Sequence, residues 1–186
     1  GETTGQITRR LTSLGVQQRD QAGALVRTMT NHIASSARSQ VMADNDDILK
    51  GKRRVATLDG RTTPLCRALD GTVVPMTAPS PPFHWNCRTT EIPVLKDEFA
   101  RDIPGSTRPA VGPDGAEQVS SKTTYGEWLA RQPAAFQEDV LGPARYKLFS
   151  KGELTIDRFV DDDGRTLTLK QLREREPMAF QRAGLD

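Results

Sequence analysis

The clearest periodicity in this chain lies in residues 17–43, and any fold for the chain has to accommodate it. Apolar residues recur there at steps of three or four, which is the spacing of one face of a helix. The residues of this apolar stripe are Ala22, Leu25, Met29, Ile33, Ala37 and Val41. Asp20 can cap the start of the helix, and the polar cluster at residues 44–47 ends it. The sequence therefore predicts one long helix that packs through this stripe.

Short extended segments follow the predicted helix. Residues 53–58 run into Asp59-Gly60, and residues 72–74 follow the Asp70-Gly71 turn, so each is typical of a short strand beside a turn. Residues 76–82 contain three prolines and must be extended, because proline fixes its own φ and restricts the residue before it. We expect an α+β fold in which the long N-terminal helix packs on a small β-sheet beside a Pro-rich loop.

The composition changes near residue 100. Residues 101–122 are crowded with proline and glycine and hold few large apolar groups, so they are predicted to be a linker. The predicted organisation is an α+β domain with a Cys/His loop at 1–100, this linker, and a helical C-terminal subdomain at 123–186.

Helix signals recur in the C-terminal part. Thr123 or Thr124 can cap a first helix, Pro133 suits the first turn of a second, and Gly142-Pro143 breaks the run. The residues expected to form the core of this subdomain are Trp128, Leu129, Phe136, Ile156 and Phe159. A short amphipathic helix at 167–175 closes the predicted arrangement.

The composition excludes several classes of protein. The 26 basic residues are nearly balanced by 24 acidic ones, with a formal net charge of +2, so charge alone does not indicate a nucleic-acid binder. No run approaches the ~20 apolar residues that cross a bilayer, and no membrane partner is expected. The first dozen residues lack the apolar block of a secretory signal. Because the chain begins with Gly1 rather than Met, we expect a fragment or a processed product.

Residues 59–88 hold the soft metal-ligand atoms of the chain. Cys66, His84 and Cys87 are residue types that bind zinc, and the last two have the H-x2-C spacing that lets both side chains face one centre. A zinc site takes four ligands at roughly 2.0–2.3 Å, so a three-residue set needs a fourth ligand from elsewhere.

Four interpretations of this set remain open. The two thiols are buried beside a hydrogen-bonded His84, or a Cys66–Cys87 disulfide closes the Pro-rich loop, although a reducing cytosol disfavours such a bond. The three residues bind a metal, with Asp59, Asp70, a water or another chain completing the site. Alternatively, a Cys–His pair is catalytic, although no neighbouring residue is suited to orient the imidazole or to form an oxyanion hole.

The same stretch carries a family resemblance. The run TLDGRTTPLCRALDG…PPFHWNCRTTEIPV resembles the phage head morphogenesis family, the minor head proteins similar to phage Mu protein F. Members show a strand ending in Asp, then Cys-x-x-Cys, Leu-Asp-Gly, Pro-Pro-x-His and Cys-Arg-Cys. The matching residues are Asp59, Thr62, Cys66, Leu69, Asp70, Gly71, Pro81, Pro82, His84, Cys87 and Arg88. Arg27-Thr28 with Asn31 is similar to the family's helix motif, and residues 123–160 are similar to a region found in many such proteins.

Two positions depart from the family pattern. Thr63 stands where the first cysteine is common, and Thr89 stands where the last one is common. If those two thiols are partners in other members, Cys66 and Cys87 are the pair that remains here. The resemblance therefore favours a Cys66–Cys87 link or a weakened zinc site over an all-thiolate zinc centre, and zinc is the one candidate cofactor.

The resemblance implies a structural role in virion assembly. Minor head proteins of this family are present in few copies, associate with the portal, and in some phages leave the head with the DNA. We therefore expect a phage or prophage minor head protein, located in the interior of the virion head and in the host cytoplasm during assembly. Its expected partners are portal and capsid proteins and double-stranded DNA.

Five polar side chains are candidate contacts to such partners: Arg27, Asn31, Arg61, Arg67 and Arg88. The first two lie on a polar row of the predicted helix, which is either a solvated face or a docking surface. The three other arginines flank the thiols, and a guanidinium can fork onto a carboxylate or a phosphate. The alternative is pairing inside the domain, for which the partners are Asp59, Asp70 and Glu91.

A metal-dependent nuclease or toxin-like hydrolase is the alternative function. It would use His84 with Asp59 or Asp70 as acid–base groups. The C-terminal part contains no histidine and no recognisable catalytic set. We therefore assign no catalytic residue and expect a protein that is not an enzyme.

Overall fold

The structure is a computed structural model that describes residues 2–13, 19–101 and 103–185. The chain forms two compact units: unit 1 contains Gly1–Val55 and Val73–Arg101, and unit 2 contains Ala56–Thr72 and Asp102–Asp186. This division differs from the predicted domains of 1–100 and 123–186. Residues 56–72 belong to unit 2 because they pair with its sheet and bind its side chains, contacts between distant residues that a composition shift does not report.

The described residues contain helices and short strands, numbered here in chain order. The helices are α1 (Thr4–Ser13), α2 (Arg19–Ala43), α3 (Pro64–Leu69), α4 (Tyr125–Ala130), α5 (Ala134–Leu141), α6 (Pro143–Ser150), α7 (Leu169–Arg175) and α8 (Pro177–Ala183), with a 3-10 turn at Ile156–Phe159. The strands are β1 (Leu49–Val55), β2 (Leu58–Asp59), β3 (Val73–Val74), β4 (Thr90–Leu95), β5 (Thr107–Gly112) and β6 (Gly115–Ser120). None of the helices in the described ranges is long and apolar enough to cross a bilayer.

Unit 1 is a long helix on a three-stranded antiparallel sheet. β1 is the central strand, with β3 on one side and β4 on the other. α2 packs against β4, and α1 packs against α2. This arrangement confirms the predicted α+β fold, although the first two residues of the predicted helix lie outside the described residues. The predicted strand at 53–58 is divided, because its first half pairs in unit 1 while Leu58 pairs in unit 2.

The buried face of α2 is not the predicted one. Met29, Ile33 and Val41 of the apolar stripe are 47%, 65% and 63% exposed. The side chains of the helix that are buried are Ala22, Val26, Ser35 and Met42. The prediction of a buried apolar stripe is therefore wrong over most of the helix. On the other side of the helix, Asn31 of the polar row binds the carbonyl oxygens of Cys87 and Thr89.

In unit 2, the residues predicted to be a linker form a β-hairpin. β5 and β6 pair in antiparallel register from Thr107–Ser120 to Gly112–Gly115, and β5 pairs in parallel with β2. Gly115 has φ 107°, which glycine adopts at little cost, so it closes the hairpin after the Pro113-Asp114 turn. Part of the proline and glycine that predicted a linker therefore marks a hairpin turn.

Helices of the C-terminal part surround the apolar core of unit 2. Thr124 caps α4 through a capping box with Glu127, and Gly142, at φ 75°, separates α5 from α6, as the sequence predicted. The predicted core residues are confirmed: Trp128, Leu129, Ile156 and Phe159 are buried, and Phe136 packs against them. The rings of Trp128 and Phe136 meet edge to face, with centroids 5.9 Å apart.

Candidate metal centre and the loop that carries it

Cys66 lies in the short helix α3. Pro64 begins this helix, where the missing N–H of proline costs nothing because that position has no intrahelical acceptor. The N–H of Arg67 donates to the carbonyl oxygen of Thr63 over 2.9 Å and closes the first turn. The side chain of Cys66 is buried as a result of its place in this turn.

His84 and Cys87 lie in the loop between β3 and β4. The N–H of Cys87 donates to the carbonyl oxygen of His84 over 3.2 Å, so the two residues belong to one tight turn. Asn86, inside this turn, has φ 59°, a left-handed conformation that asparagine tolerates better than most residues. The H-x2-C spacing is therefore realised as a turn rather than as a helix or strand.

The imidazole of His84 is oriented by its neighbour. Its Nδ1 lies 2.8 Å from the carbonyl oxygen of Trp85. Because a carbonyl oxygen only accepts, Nδ1 is the donor of this hydrogen bond, and Nε2 is the nitrogen that can bind a metal. A hydrogen bond from one ring nitrogen to a carbonyl is what fixes the tautomer of metal-binding histidines, and it leaves Nε2 as the ligand atom.

Cys66 belongs to unit 2, whereas His84 and Cys87 belong to unit 1. Both cysteines are buried, His84 is partly buried, and the two sulfur atoms are not joined by a disulfide. Two thiolates and an imidazole nitrogen form a donor set that zinc accepts. Cys66, His84 and Cys87 are therefore a group whose chemistry suits a metal ion.

The polar face of α2 holds the loop that carries His84 and Cys87. The side-chain amide of Asn31 donates to the carbonyl oxygens of Cys87, over 2.9 Å, and of Thr89, over 3.3 Å. Nε of Arg27 donates to Oδ1 of Asn86 over 2.8 Å, and the hydroxyl of Thr28 accepts from the N–H of Asn86 over 3.0 Å. The helix motif Arg27-Thr28 with Asn31 thus binds the backbone and one side chain of this loop.

A buried lysine holds the proline-rich segment in the same unit. Nζ of Lys52 donates to the carbonyl oxygen of Ala78 over 2.7 Å and to the hydroxyl of Ser80 over 2.6 Å, and it lies 3.2 Å from Oε2 of Glu91. The hydroxyl of Ser80 is also 2.8 Å from that of Ser39 on α2. The segment is therefore tied to both the sheet and the helix. Glu91 pairs with Lys52, and no sequence signal distinguished this lysine from the exposed Lys50.

Asp70 is held inside unit 2. Its Oδ1 accepts from Nη2 of Arg108 and the N–H of Ala56, and its Oδ2 accepts from Nη1 of Arg108 and the N–H of Tyr125. A carboxylate has about four lone-pair sites, and all four are used here. Asp70 is thus unsuited to bind a metal or to transfer a proton. Arg108 was not identifiable as a functional residue from the sequence, because it lies in the stretch predicted to be a linker.

Asp59 and Arg61 form the turn that follows β2. Oδ1 of Asp59 accepts from the hydroxyl of Thr62 and from the N–H of Arg61, each over 3.1 Å. The side chain of Arg61 is 86% exposed, with Nε 3.9 Å from Oδ2 of Asp59. Asp59 therefore stabilises the turn, while the guanidinium of Arg61 extends into solvent.

Arg67 and Arg88 differ in exposure. The guanidinium of Arg67 donates to the carbonyl oxygens of Val140, over 2.9 Å, and Gly60, over 3.1 Å, and it lies over the ring of Tyr125. Burial lowers the pKa of Arg67, and nearby Tyr125 partly opposes that shift. Arg88, by contrast, is exposed. Arg67 thus joins parts of unit 2, whereas Arg88 presents its side chain at the surface.

The family model described as Phage Mu protein F like protein matches residues 1–92. The matched residues include α2, the proline-rich loop and all three members of the Cys/His group. This match confirms the family resemblance of the motifs within residues 1–92, and the similarity of residues 123–160 stays a prediction. Comparison with curated proteins and with solved structures found no match.

Proposed function

We propose that this chain, whose residues 1–92 match the phage Mu protein F like family, is a structural minor head protein of a phage or prophage. The family match supports a head-related role, capsid-related partners and a place in the virion. The more specific proposal is that the protein acts in head assembly at the portal and contacts the packaged double-stranded DNA. It then lies in the head interior, and in the host cytoplasm during assembly.

This proposal rests on one observation: polar groups of the family's motif residues are bound inside the protein. Asn31 and Arg27 bind the loop before β4, and Asp70 uses all its acceptor sites on an arginine and two backbone N–H groups. Groups engaged in this way hold a scaffold together and are not available to a substrate. The arrangement supports a structural role and gives no support to the hydrolase with Asp70 as an acid–base group.

We also propose that Cys66, His84 and Cys87 hold a zinc ion with a structural role. The two thiolates and Nε2 of His84 are the three protein ligands, and a water or another chain supplies the fourth, since Asp70 is fully engaged. When bound, zinc supplies a cross-link whose binding free energy adds to the free energy of folding. The hydrogen bond from Nδ1 of His84 to Trp85 keeps the imidazole in the tautomer that this role requires.

Metal analysis together with thiol titration tests the zinc proposal. We expect one zinc per chain, and two thiols that become titratable after chelation and denaturation. His84→Ala is expected to lose the zinc, whereas the matched control His32→Ala, an exposed histidine of α2, keeps it. If the purified protein contains no zinc and shows no titratable thiols in denaturant, the two cysteines form a Cys66–Cys87 disulfide and the metal proposal is wrong. Two titratable thiols without zinc would leave the metal proposal without support.

In this proposal, the residues that contact the partners directly are the two arginines with exposed side chains, Arg61 and Arg88. Arg27, Asn31 and Arg67 act on partners indirectly in this proposal, by holding the loops through their internal hydrogen bonds. An exposed guanidinium can bind either an acidic portal side chain or a DNA phosphate.

Co-sedimentation with portal oligomers tests the function. We expect the chain to sediment with the portal, and Arg61→Ala with Arg88→Ala to weaken this binding, while the control Arg165→Ala, whose side chain is 79% exposed, does not. If duplex DNA is the main ligand, binding weakens steeply with salt because each neutralised phosphate releases counterions. Cleavage of plasmid or RNA with a divalent metal, abolished by His84→Ala, would instead make the protein an enzyme.

A further inference from the structure

The exposed stripe of α2 is an apolar surface with no partner in the described part of the chain. Met29, Ile33, Ala37 and Val41 recur every four residues, so they form one ridge about 18 Å long. Three of them are 47%, 65% and 63% exposed. We estimate that the ridge exposes roughly 300–400 Å² of apolar area, the size of the largest apolar patch on a typical monomer, which is often functional.

This stripe continues a helix–helix interface inside unit 1. Ala22 and Val26 lie on the same side of α2 as Ile33, by the helical angle of about 100° per residue, and both are buried. α1 packs against α2, but a helix of ten residues is only about 15 Å long and covers the first part of a 25-residue helix at most. The same face of α2 is therefore covered near its start and bare from Met29 onward.

The charges around the stripe indicate what covers it. Between Met29 and Ala43, Arg38 is the one lysine, arginine, aspartate or glutamate, and its Nη1 is buried. The stripe thus offers no charge to an acidic protein surface or to DNA phosphates. The acidic residues lie just past the end of the helix, at 44–47. Near the opposite end, α1 carries Arg9 beside Arg10, whose Nη1 is 3.0 Å from Oε2 of Glu2, so this end keeps one positive charge in excess.

We propose that α2 docks antiparallel against α2 of a second copy of this chain. A two-fold axis at the middle of the stripe places Ile33 of each copy against Ala37 of the other, and Met29 against Val41, so that larger side chains meet smaller ones. This contact is isologous, as in most symmetric dimers. The same orientation brings the acidic end of each stripe toward α1 of the other copy, whereas a parallel pair brings the acidic ends together.

The area of the stripe sets the expected strength. Roughly 300–400 Å² per copy is less than the ~800 Å² per partner of a standard stable interface. The dimer is therefore expected to be reversible and to depend on protein concentration. High salt is expected to weaken it, because the end-to-end charge attraction is exposed to solvent.

Sedimentation equilibrium from low-micromolar to several hundred micromolar protein tests the proposal. We expect wild type to pass from monomer to dimer over this range and Ile33→Glu to stay monomeric. The matched control is Ile92→Glu, the same change at an exposed isoleucine of β4 in unit 1, and it is expected to dimerise as wild type does. Unchanged circular dichroism melts verify that both variants are folded, and Val41→Glu, at another exposed position, provides a second test of the stripe.

The antiparallel register has its own test. An equimolar mixture of Ile33→Cys and Ala37→Cys proteins is expected to form disulfide-linked heterodimers under mild oxidation, with wild type as the control for its buried native thiols. Wild type that stays monomeric at every concentration, or equal dimerisation of Ile33→Glu and Ile92→Glu, overturns the proposal. A dimer that cross-links faster through Ile33→Cys alone than in the mixture overturns the antiparallel register.

Discussion

Replacing Asp70 with asparagine changes a fully buried carboxylate while keeping the size of the side chain. Oδ1 accepts from Nη2 of Arg108 over 3.0 Å and from the N–H of Ala56 over 2.7 Å. Oδ2 accepts from Nη1 of Arg108 over 3.0 Å and from the N–H of Tyr125 over 2.7 Å. An asparagine keeps one oxygen, so it loses the negative charge and two of these four acceptor positions.

The size of the stability loss follows from the groups that Asp70→Asn leaves without a partner. The side chain of Arg108 is 11% exposed and would keep its charge without a carboxylate partner. Breaking a buried ion pair from one side costs about 3–5 kcal/mol, and a buried N–H without an acceptor costs about 1–3 kcal/mol. The two costs overlap because one substitution causes both. We expect the free energy of unfolding of unit 2 to fall by about 4 kcal/mol, a large part of the ~5–15 kcal/mol typical of a domain.

Urea unfolding followed by the fluorescence of Trp128 measures this loss. The other tryptophan, Trp85, lies in unit 1 and is replaced by phenylalanine in every variant, so that the emission reports unit 2. Asp162→Asn, the same change at an exposed carboxylate of unit 2, is the matched control. It is expected to change the free energy of unfolding by less than about 0.5 kcal/mol.

A loss below about 1 kcal/mol for Asp70→Asn in a folded protein would refute the reasoning, since it would mean that the buried charge is compensated elsewhere. Adding Arg108→Met to Asp70→Asn is a further check. The double variant leaves no uncompensated guanidinium, so its loss should be smaller than the sum of the two single losses. Strict additivity would show that the two side chains are not coupled.

Three further predictions concern other parts of the molecule. Lys52→Met leaves the buried carboxylate of Glu91 with the guanidinium of Arg54, 3.9 Å away, as its remaining cation, and we expect a loss of about 3 kcal/mol in the free energy of unfolding of unit 1, measured by denaturant unfolding. Asn31→Ala removes two hydrogen bonds to the loop before β4, so the thiol of that loop should react faster with a thiol reagent while the helix content stays unchanged. The hydrogen bonds from Thr124 lower the pKa of Glu127 in the folded state, so the capping box stabilises the protein above the ordinary glutamate pKa and this contribution is lost as pH falls through the lowered value. Thermal melts should therefore show a melting temperature that falls at acid pH, and Glu127→Gln should remove this part of the fall.

Features that depend on neighbours along the chain were predictable from the sequence. Thr124 caps α4 with Glu127 three residues later, and Gly142 breaks the helices because it adopts a positive φ. The H-x2-C spacing of His84 and Cys87 likewise forms one turn that places both ligands together. In each case the interacting atoms lie a few residues apart, so residue type and spacing are sufficient.

The faces and pairings that depend on distant residues were not predictable in this way. Apolar periodicity located α2, but most of the apolar stripe is exposed, while Asn31 on the other side of the helix binds carbonyl oxygens more than fifty residues away. Proline and glycine predicted a linker at 101–122, where β5 in fact pairs with β2.

Residue types and short spacings by themselves determined the long helix, the breaks between the C-terminal helices, the metal-ligand set and the family to which the motifs point. Only the tertiary structure decided which side of α2 faces solvent, that Asp70 binds Arg108, and that Lys52 is buried against Glu91. The reason is physical. A buried polar group is stable only when a partner from elsewhere in the chain reaches it, and that partner is known only after the chain has folded.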